Sequence, residues 1–353
     1  MATIRQIPSG YWQGIIRKKG YSQQSRTFST KRDCELWATD TEAKMNRGVF
    51  NDVSESEALT LRAGLGRYMT EVTPTKKGFE AETYKIKAML REKFVDKTFA
   101  TFRQADAASY RDRLVKDGLS ASTIRKNLSL LSHLFETANK EWSINCTNPV
   151  KLISKPRVSN SRERRVSGLE LKYLIDALTN TGAGERQNTE VLAVVLFALE
   201  TAMRQSEILS LSWADIDLIG RVATLNDTKN GDARGVPLSS TAVKVLTGDG
   251  DSLNVVKIRR GKAFKTTSSA VKQSYMRAVI RARKAYEADF DESTRDSKVL
   301  VNLTFHDLRH EATSRLADVF QMHELMKITG HKDSRMLARY YHPKMSDLAK
   351  KLA

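Results

Sequence analysis

The chain has 353 residues, with 59 Lys and Arg against 41 Asp and Glu, for a formal net charge of +18. That length exceeds one ordinary domain and suits two or three with their own cores, and the charge points to a polyanionic partner, nucleic acid being the commonest. Two cysteines, Cys34 and Cys146, exclude a disulfide framework and a cysteine zinc site, and no apolar run approaches membrane-spanning length.

Neither a signal-type apolar core at the N-terminus nor a cysteine framework is present, which fits a reducing cytoplasm. The basic surplus is spread along the chain: 9 against 6 in residues 1–56, 19 against 11 in 57–160, and 31 against 24 in 161–353. A long footprint on DNA is more natural than one basic tail.

Residues 1–47 read as a small β-rich unit followed by a helix. Tyr11, Trp12, Ile15 and Ile16 sit in short strand-like runs, Gly20 and Tyr21 mark a turn, and Arg26-Thr27-Phe28 starts another strand. A helix spans 30–45, with Cys34, Trp37, Ala38 and Met45 apolar. The unit suits a sheet that lies in a DNA groove, with Trp12, Arg17 and Lys18 as candidate contacts, or a capping subdomain without a ligand. Residues 48–56 read as a polar linker, closing a first domain at 1–56.

Residues 57–160 read as a helical domain with a basic linker. Leu59, Leu61, Leu65, Tyr68 and Met69 suggest one helix, 84–94 a second, and 105–116 a third that stops at Asp117-Gly118. The fourth, 120–139, is capped by Ser120 or Ser122 and buries Leu128, Leu131, Leu134 and Phe135. Its first turns hold Thr123, Arg125, Lys126 and Asn127, which suit phosphates or bases, or else a solvated basic turn. Pro149 and Pro156 interrupt regular structure, and 151–165 is an extended basic stretch that includes Arg157.

Residues 161–353 form the largest domain, mostly helical with one strand pair. Runs 221–225 and 235–238 flank Lys229-Asn230-Gly231, a hairpin-type turn signal. The fold class is therefore mainly α with small sheets, α+β and multidomain.

Polar residues beside apolar helices concentrate in this domain. Arg204 follows the buried run 191–199, where its donors could meet an anion or pair with Glu207 at i+3. Lys229 sits on the turn, where most lysines are merely solvated. His306 and Arg309 are i and i+3 on one helix face. His306 and His310, at i and i+4, could bind metal, but Asp307 stands where the zinc-protease pattern needs Glu. No acidic cluster suits magnesium, so neither metal nor cofactor is expected. Gly330 permits a tight turn before His331, and Tyr340-Tyr341 follows.

Together these groups meet one chemical need. Attack on a phosphodiester builds charge on its non-bridging oxygens, which two arginines and a histidine can neutralise. A lysine can protonate the leaving oxygen. A tyrosine can store the backbone bond covalently, so that no ATP is needed to reseal it.

The order Arg204, Lys229, His306-x-x-Arg309, Gly330-His331 and Tyr340 resembles the catalytic order of the tyrosine recombinase, or phage integrase, family. The likeness is strongest over 166–353. Residues 57–160 resemble its helical core-binding domain, and 1–47 its arm-type or related DNA-binding module.

The resemblance implies that Arg204, Arg309 and His331 hold the scissile phosphate and that Lys229 protonates the leaving 5′ oxygen. It implies that His306 aids proton transfer or orients the phosphate, that Glu207 supports, and that Tyr340 attacks. Tyr340 follows His331 by nine positions, the family's spacing. Ala202 stands where a glycine is common, and Tyr341 must be excluded as nucleophile.

The resemblance further implies a homotetramer acting on two duplexes at double-stranded DNA attachment sites in a bacterial host cell. Cleavage passes through a 3′-phosphotyrosyl bond. A tail bearing Met345, Leu348 and Leu352 would dock on a neighbour, and DNA-bending or excision proteins would assist. The alternatives are a type IB topoisomerase-like enzyme and an inactive DNA-binding regulator.

Overall fold

The computed structural model describes residues 2–341 except 49, 51, 53, 159–163, 181–188, 227–232 and 249–259. The chain is an α+β protein, mainly helical, with two three-stranded antiparallel sheets. It divides into two compact units, Met1–Asn160 and Ser161–Ala353.

The first unit opens with β1 (Ala2–Gln6), β2 (Trp12–Ile16) and β3 (Gln24–Phe28), with Trp12 opposite both Gln6 and Phe28. The third strand ends at Phe28, whereas the sequence reading started one at Arg26. Helix α1 (Lys31–Asn46) is capped by Thr30 and buries Cys34, Ala38, Thr41 and Met45, a 4-3-4 spacing that makes one stripe. The helix lies so close to β2 that a Cβ on Gly14 would stand 2.9 Å from Cys34 Sγ and 3.0 Å from the Trp37 ring.

The expected linker at 48–56 is partly structured. Asp52 accepts hydrogen bonds from Ser22 and Gln24, and α2 (Ser54–Ala58) begins at once.

Four helices follow: α3 (Leu61–Glu71), α4 (Phe79–Met89), α5 (Gln104–Lys116) and α6 (Ala121–Lys140). They enclose Leu65, Tyr68, Ile86, Phe99, Leu131 and Phe135. The second of these helices starts five residues before Tyr84 and stops short of Phe94. Glu80 and Glu82 favour its N-terminus, while Glu92 is extended and Phe94 sits on a 3₁₀ turn against Phe102 and Tyr110. Ser120 caps α6 by accepting from the backbone N–H of Thr123 at 3.3 Å.

The second unit holds α7 (Gly168–Thr179), α8 (Thr189–Thr201) and α9 (Gln205–Ser210), then β4 (Ile216–Asp217), β5 (Val222–Leu225) and β6 (Arg234–Pro237). The short β4 adds a third strand to the expected pair, and β6 starts one residue before the expected Gly235. Helices α10 (Ser240–Thr247), α11 (Ser268–Asp289), α12 (Phe305–Ala317), α13 (Met322–Thr329) and α14 (Ser334–Ala338) complete it.

Apolar α8 is the hub. It buries Val191, Val194, Val195, Phe197, Ala198 and Leu199 and packs on α7, α10 and α12. Among the described residues no helix is long and apolar enough to cross a membrane.

Candidate active site

Helix α8 ends where Thr201 Oγ1 donates to the Phe197 carbonyl at 2.7 Å. Ala202 then turns the chain with φ +50°, a left-handed conformation rare without glycine. Arg204 follows as the N-cap of α9. Its backbone N–H donates to Glu207 Oε2 at 2.8 Å, and its Nη1 to Glu207 Oε1 at 2.8 Å. Arg204 thus pairs with Glu207 at i+3, and its side chain keeps 24% of its surface exposed.

Two more arginines converge on Glu207. Arg234, at the start of β6 and 9% exposed, donates from Nη2 to Glu207 Oε2 at 2.7 Å and from Nε to the Ile328 carbonyl at 2.9 Å. Arg309, buried on α12, lies 3.9 Å from the same carboxylate. It donates to the carbonyls of Ala202 and, at 2.8 Å, Thr329.

Burial alone would raise the Glu207 carboxyl. The hydrogen bonds from Arg234 and Arg204 outweigh that and hold it below its usual range. Arg309 is pushed down to about 10 by burial and then by the Arg204 charge, so it stays a cation at neutral pH. Among the described residues none of the three arginines has a second carboxylate partner.

Helix α13 ends at Gly330, whose φ of +70° is the left-handed cap that favours glycine. A Cβ there would stand 2.9 Å from Arg234 Nη1. His331 Nδ1 lies 2.7 Å from Thr329 Oγ1, whose proton goes to the Leu325 carbonyl at 2.6 Å. Thr329 therefore accepts from Nδ1–H, which leaves Nε2 with the lone pair. Burial, then Arg309, Arg204 and Arg234, push His331 down to about 4.

Tyr340 follows α14, with its hydroxyl hydrogen-bonded to His310 Nδ1. Burial raises the phenol above its ordinary value, while the charges of Arg339 and Arg309 pull the other way. Tyr341 is engaged elsewhere, donating to the Phe320 carbonyl at 2.8 Å.

The structure thus gathers Arg204, Glu207, Arg309 and His331, with Tyr340 in the field of Arg309. His306 lies on α12 three residues before Arg309, as the spacing predicts; it is exposed, its ring edge-on to His310 with centroids 4.8 Å apart. Lys229, the Asn230-Gly231 turn and the tail with Met345, Leu348 and Leu352 lie outside the described residues. Among the described residues no group of three or more His, Cys, Asp or Glu is gathered to hold a metal.

The sequence reading does not place Arg234 beside Glu207 or His310 beside Tyr340. The signal for Arg234 was an arginine two positions before the buried Val236, hence on the inward side of the strand. For His310 the i, i+4 spacing from His306 suggests only a metal ligand.

In the first unit, Arg125 and Lys126 line an open cleft with Tyr68, Lys76, Glu82 and His133, and Arg125 also donates to the Pro156 carbonyl. Thr123 is held by the Ser120 cap. Asn127 is buried and donates to the Thr123 carbonyl. Arg157 is exposed. On the N-terminal sheet Arg17 pairs with Gln23 and Lys18 with Asn46, while Trp12 lies under the Lys31 ammonium.

The sequence profile of the phage integrase family matches residues 164–347. A shufflon-specific DNA recombinase of Escherichia coli is 35% identical over 83% of this chain and 72% of its own length. Among solved structures, the Tn1549 transposon integrase in complex with circular intermediate DNA superposes with a TM-score of 0.61 at 17% identity, covering 84% of this chain and 99% of that one. A lambda integrase tetramer bound to a Holliday junction gives 0.61 at 19% identity, over 96% and 94%.

Proposed function

The chain belongs to the phage integrase family and is a tyrosine-type site-specific DNA recombinase, and from that premise we propose how its residues divide the work. Tyr340 attacks the scissile phosphorus. Arg204, Arg309 and His331 hold the phosphate. Lys229 protonates the leaving 5′ oxygen, and Glu207 orients the two arginines. The observation that carries this reading is the convergence of Arg204, Arg234 and Arg309 on one carboxylate, beside His331. Such preorganised cations match the charge that builds on phosphoryl oxygens.

The reaction is written as two displacements at phosphorus. The phenol oxygen bonds to phosphorus and the 5′ oxygen leaves with a proton, giving a 3′-phosphotyrosyl bond. The 5′-hydroxyl of the partner strand then attacks and returns the tyrosine. His331, resting neutral, gains basicity as the phosphate arrives, takes up a proton from solvent at Nε2, and then donates that N–H to a phosphoryl oxygen.

We read three modules: an arm-type-like unit at 1–56, a core-binding domain and linker at 57–160, and the catalytic domain at 161–353. The DNA contacts proposed are Trp12, Arg17, Lys18, Thr123, Arg125, Lys126 and Arg157. A homotetramer would pair two attachment sites and integrate or excise a mobile element such as a prophage or genomic island, with DNA-bending or excision proteins assisting in the bacterial cytoplasm.

The test is a nicked duplex built from the repeats at the ends of the segment that carries the gene. Wild type should form a denaturant-resistant adduct without metal or ATP, and Tyr340→Phe should form none. Specific binding without any wild-type adduct would favour a DNA-binding regulator. Supercoil relaxation without recombination would favour a type IB topoisomerase.

A further inference from the structure

Resting on that assignment of Tyr340, we propose that His310, rather than His306, takes the proton from the nucleophile. The phenol of Tyr340 and Nδ1 of His310 are in direct hydrogen-bond contact, with ring centroids 5.9 Å apart and planes inclined by 30°. His310 follows Arg309 on α12, so the same helix turn holds both a phosphate cation and the acceptor. The other histidine of this turn, His306, is exposed and meets the edge of the His310 ring.

The surroundings keep His310 ready to accept. Burial first, then His306, with Asp307 opposing and Arg339 and Arg309 adding to the push, lower it to about 4. The imidazole is therefore neutral at pH 7 and has a lone pair for the phenol proton. A phosphate beside Arg309 offsets those positive charges and raises the basicity of the imidazole when the proton must move.

The step balances. The tyrosine oxygen forms its bond to phosphorus as its proton passes to His310 Nδ1. The bond from phosphorus to the 5′ oxygen breaks, and that oxygen takes its proton from Lys229. In resealing, the imidazolium returns the proton to the departing tyrosine oxygen.

The experiment uses the full chain on the same nicked duplex, with His310→Ala, His310→Gln and the Tyr340→Phe control. His310→Ala should slow adduct formation by roughly 10²–10⁴-fold, the range for a lost general base, with DNA affinity unchanged. Added imidazole should restore it, and across substituted imidazoles the restored rate should climb with their basicity. His310→Gln fills the site and can accept the hydrogen bond, but it cannot take the proton, so it should stay slow.

A Gln variant near the wild-type rate would reduce His310 to positioning and overturn the proposal. An Ala variant as fast as wild type or faster would make the contact a restraint on Tyr340, and rescue indifferent to basicity would mean cavity filling. Each of those also sinks the proposal. Absence of a wild-type adduct would instead remove the recombinase assignment on which the proposal stands.

Discussion

Arg309 and Arg234 hold consecutive carbonyls at the C-terminus of α13, Thr329 at 2.8 Å and Ile328 at 2.9 Å. The last carbonyls of a helix lack intrahelical donors, and two buried guanidinium groups supply them here. Gly330 and His331 leave from that joint. The position of His331 is therefore set through Arg309 and through Arg234 of β6.

Arg234→Gln removes the cation from Glu207 and Ile328. Glu207 keeps its Arg204 pair, so the loss of the two hydrogen bonds should cost only about 1 kcal/mol in urea unfolding, while adduct formation slows on the order of 10²-fold. Arg234→Lys keeps the charge without the planar fork and should recover only part of the rate. A wild-type rate in Arg234→Gln would detach this joint from the chemistry.

Ala202 and Gly330 should respond in opposite directions. Ala202 already has φ +50°, so Ala202→Gly exchanges left-handed strain of roughly 1 kcal/mol for a similar glycine entropy cost. Its melting temperature should stay level or rise slightly. Gly330→Ala adds strain and crowds Arg234 Nη1, and should lose about 1–2 kcal/mol together with adduct formation. Equal melting shifts in both variants would contradict the two backbone assignments.

Acid should destabilise the catalytic unit before its carboxylates titrate. His310 and His331 are each held near 4 against an ordinary 6.5. Between those values the unfolded chain binds more protons, so stability falls as pH drops through 6.5 towards 4 and levels off about one unit above 6.5. The slope contributed by each histidine approaches about 1.4 kcal/mol per pH unit. Urea titrations from pH 7.5 to 4.5 measure it, and replacing both histidines with glutamine should flatten that window.

Tyr341→Phe removes the hydrogen bond to the Phe320 carbonyl and should cost about 1 kcal/mol of stability. Its adduct with the nicked duplex should remain. Loss of the adduct in this variant, with Tyr340→Phe still active, would transfer the nucleophile to Tyr341.

Lys229→Ala should abolish cleavage of ordinary DNA and recover on a duplex whose leaving 5′ oxygen is replaced by sulfur, which needs little protonation. Failure to recover would rule out the general-acid role.

Much of this was legible because the relevant residues sit where local rules are strong. Apolar α8 and the Ser120 cap on α6 follow from periodicity and capping alone. Arg204, Arg309 and Gly330-His331 stood out as a set because each adjoins a helix end or an apolar run. Arg234 was hidden because a four-residue strand gives almost no pattern, and its partners Glu207 and Ile328 are distant in sequence. His306 and His310 share a helix at i and i+4, so spacing could not say which ring meets Tyr340. Only the packing of α14 decides that. Helix α4 starts earlier than the sequence suggests because its first turn is acidic and mostly exposed, and such residues carry little burial signal.

Among the described residues, three guanidinium groups around one carboxylate leave two positive charges without an internal counter-ion in a largely dehydrated place. Part of the folding free energy of this unit is therefore held back as like-charge repulsion, and any anion that fits between the guanidinium groups releases it. The catalytic unit should accordingly behave as a protein with a built-in anion requirement. Sulfate or phosphate should raise its melting temperature where chloride at equal ionic strength does not, because the effect depends on the shape and charge of the anion rather than on general screening.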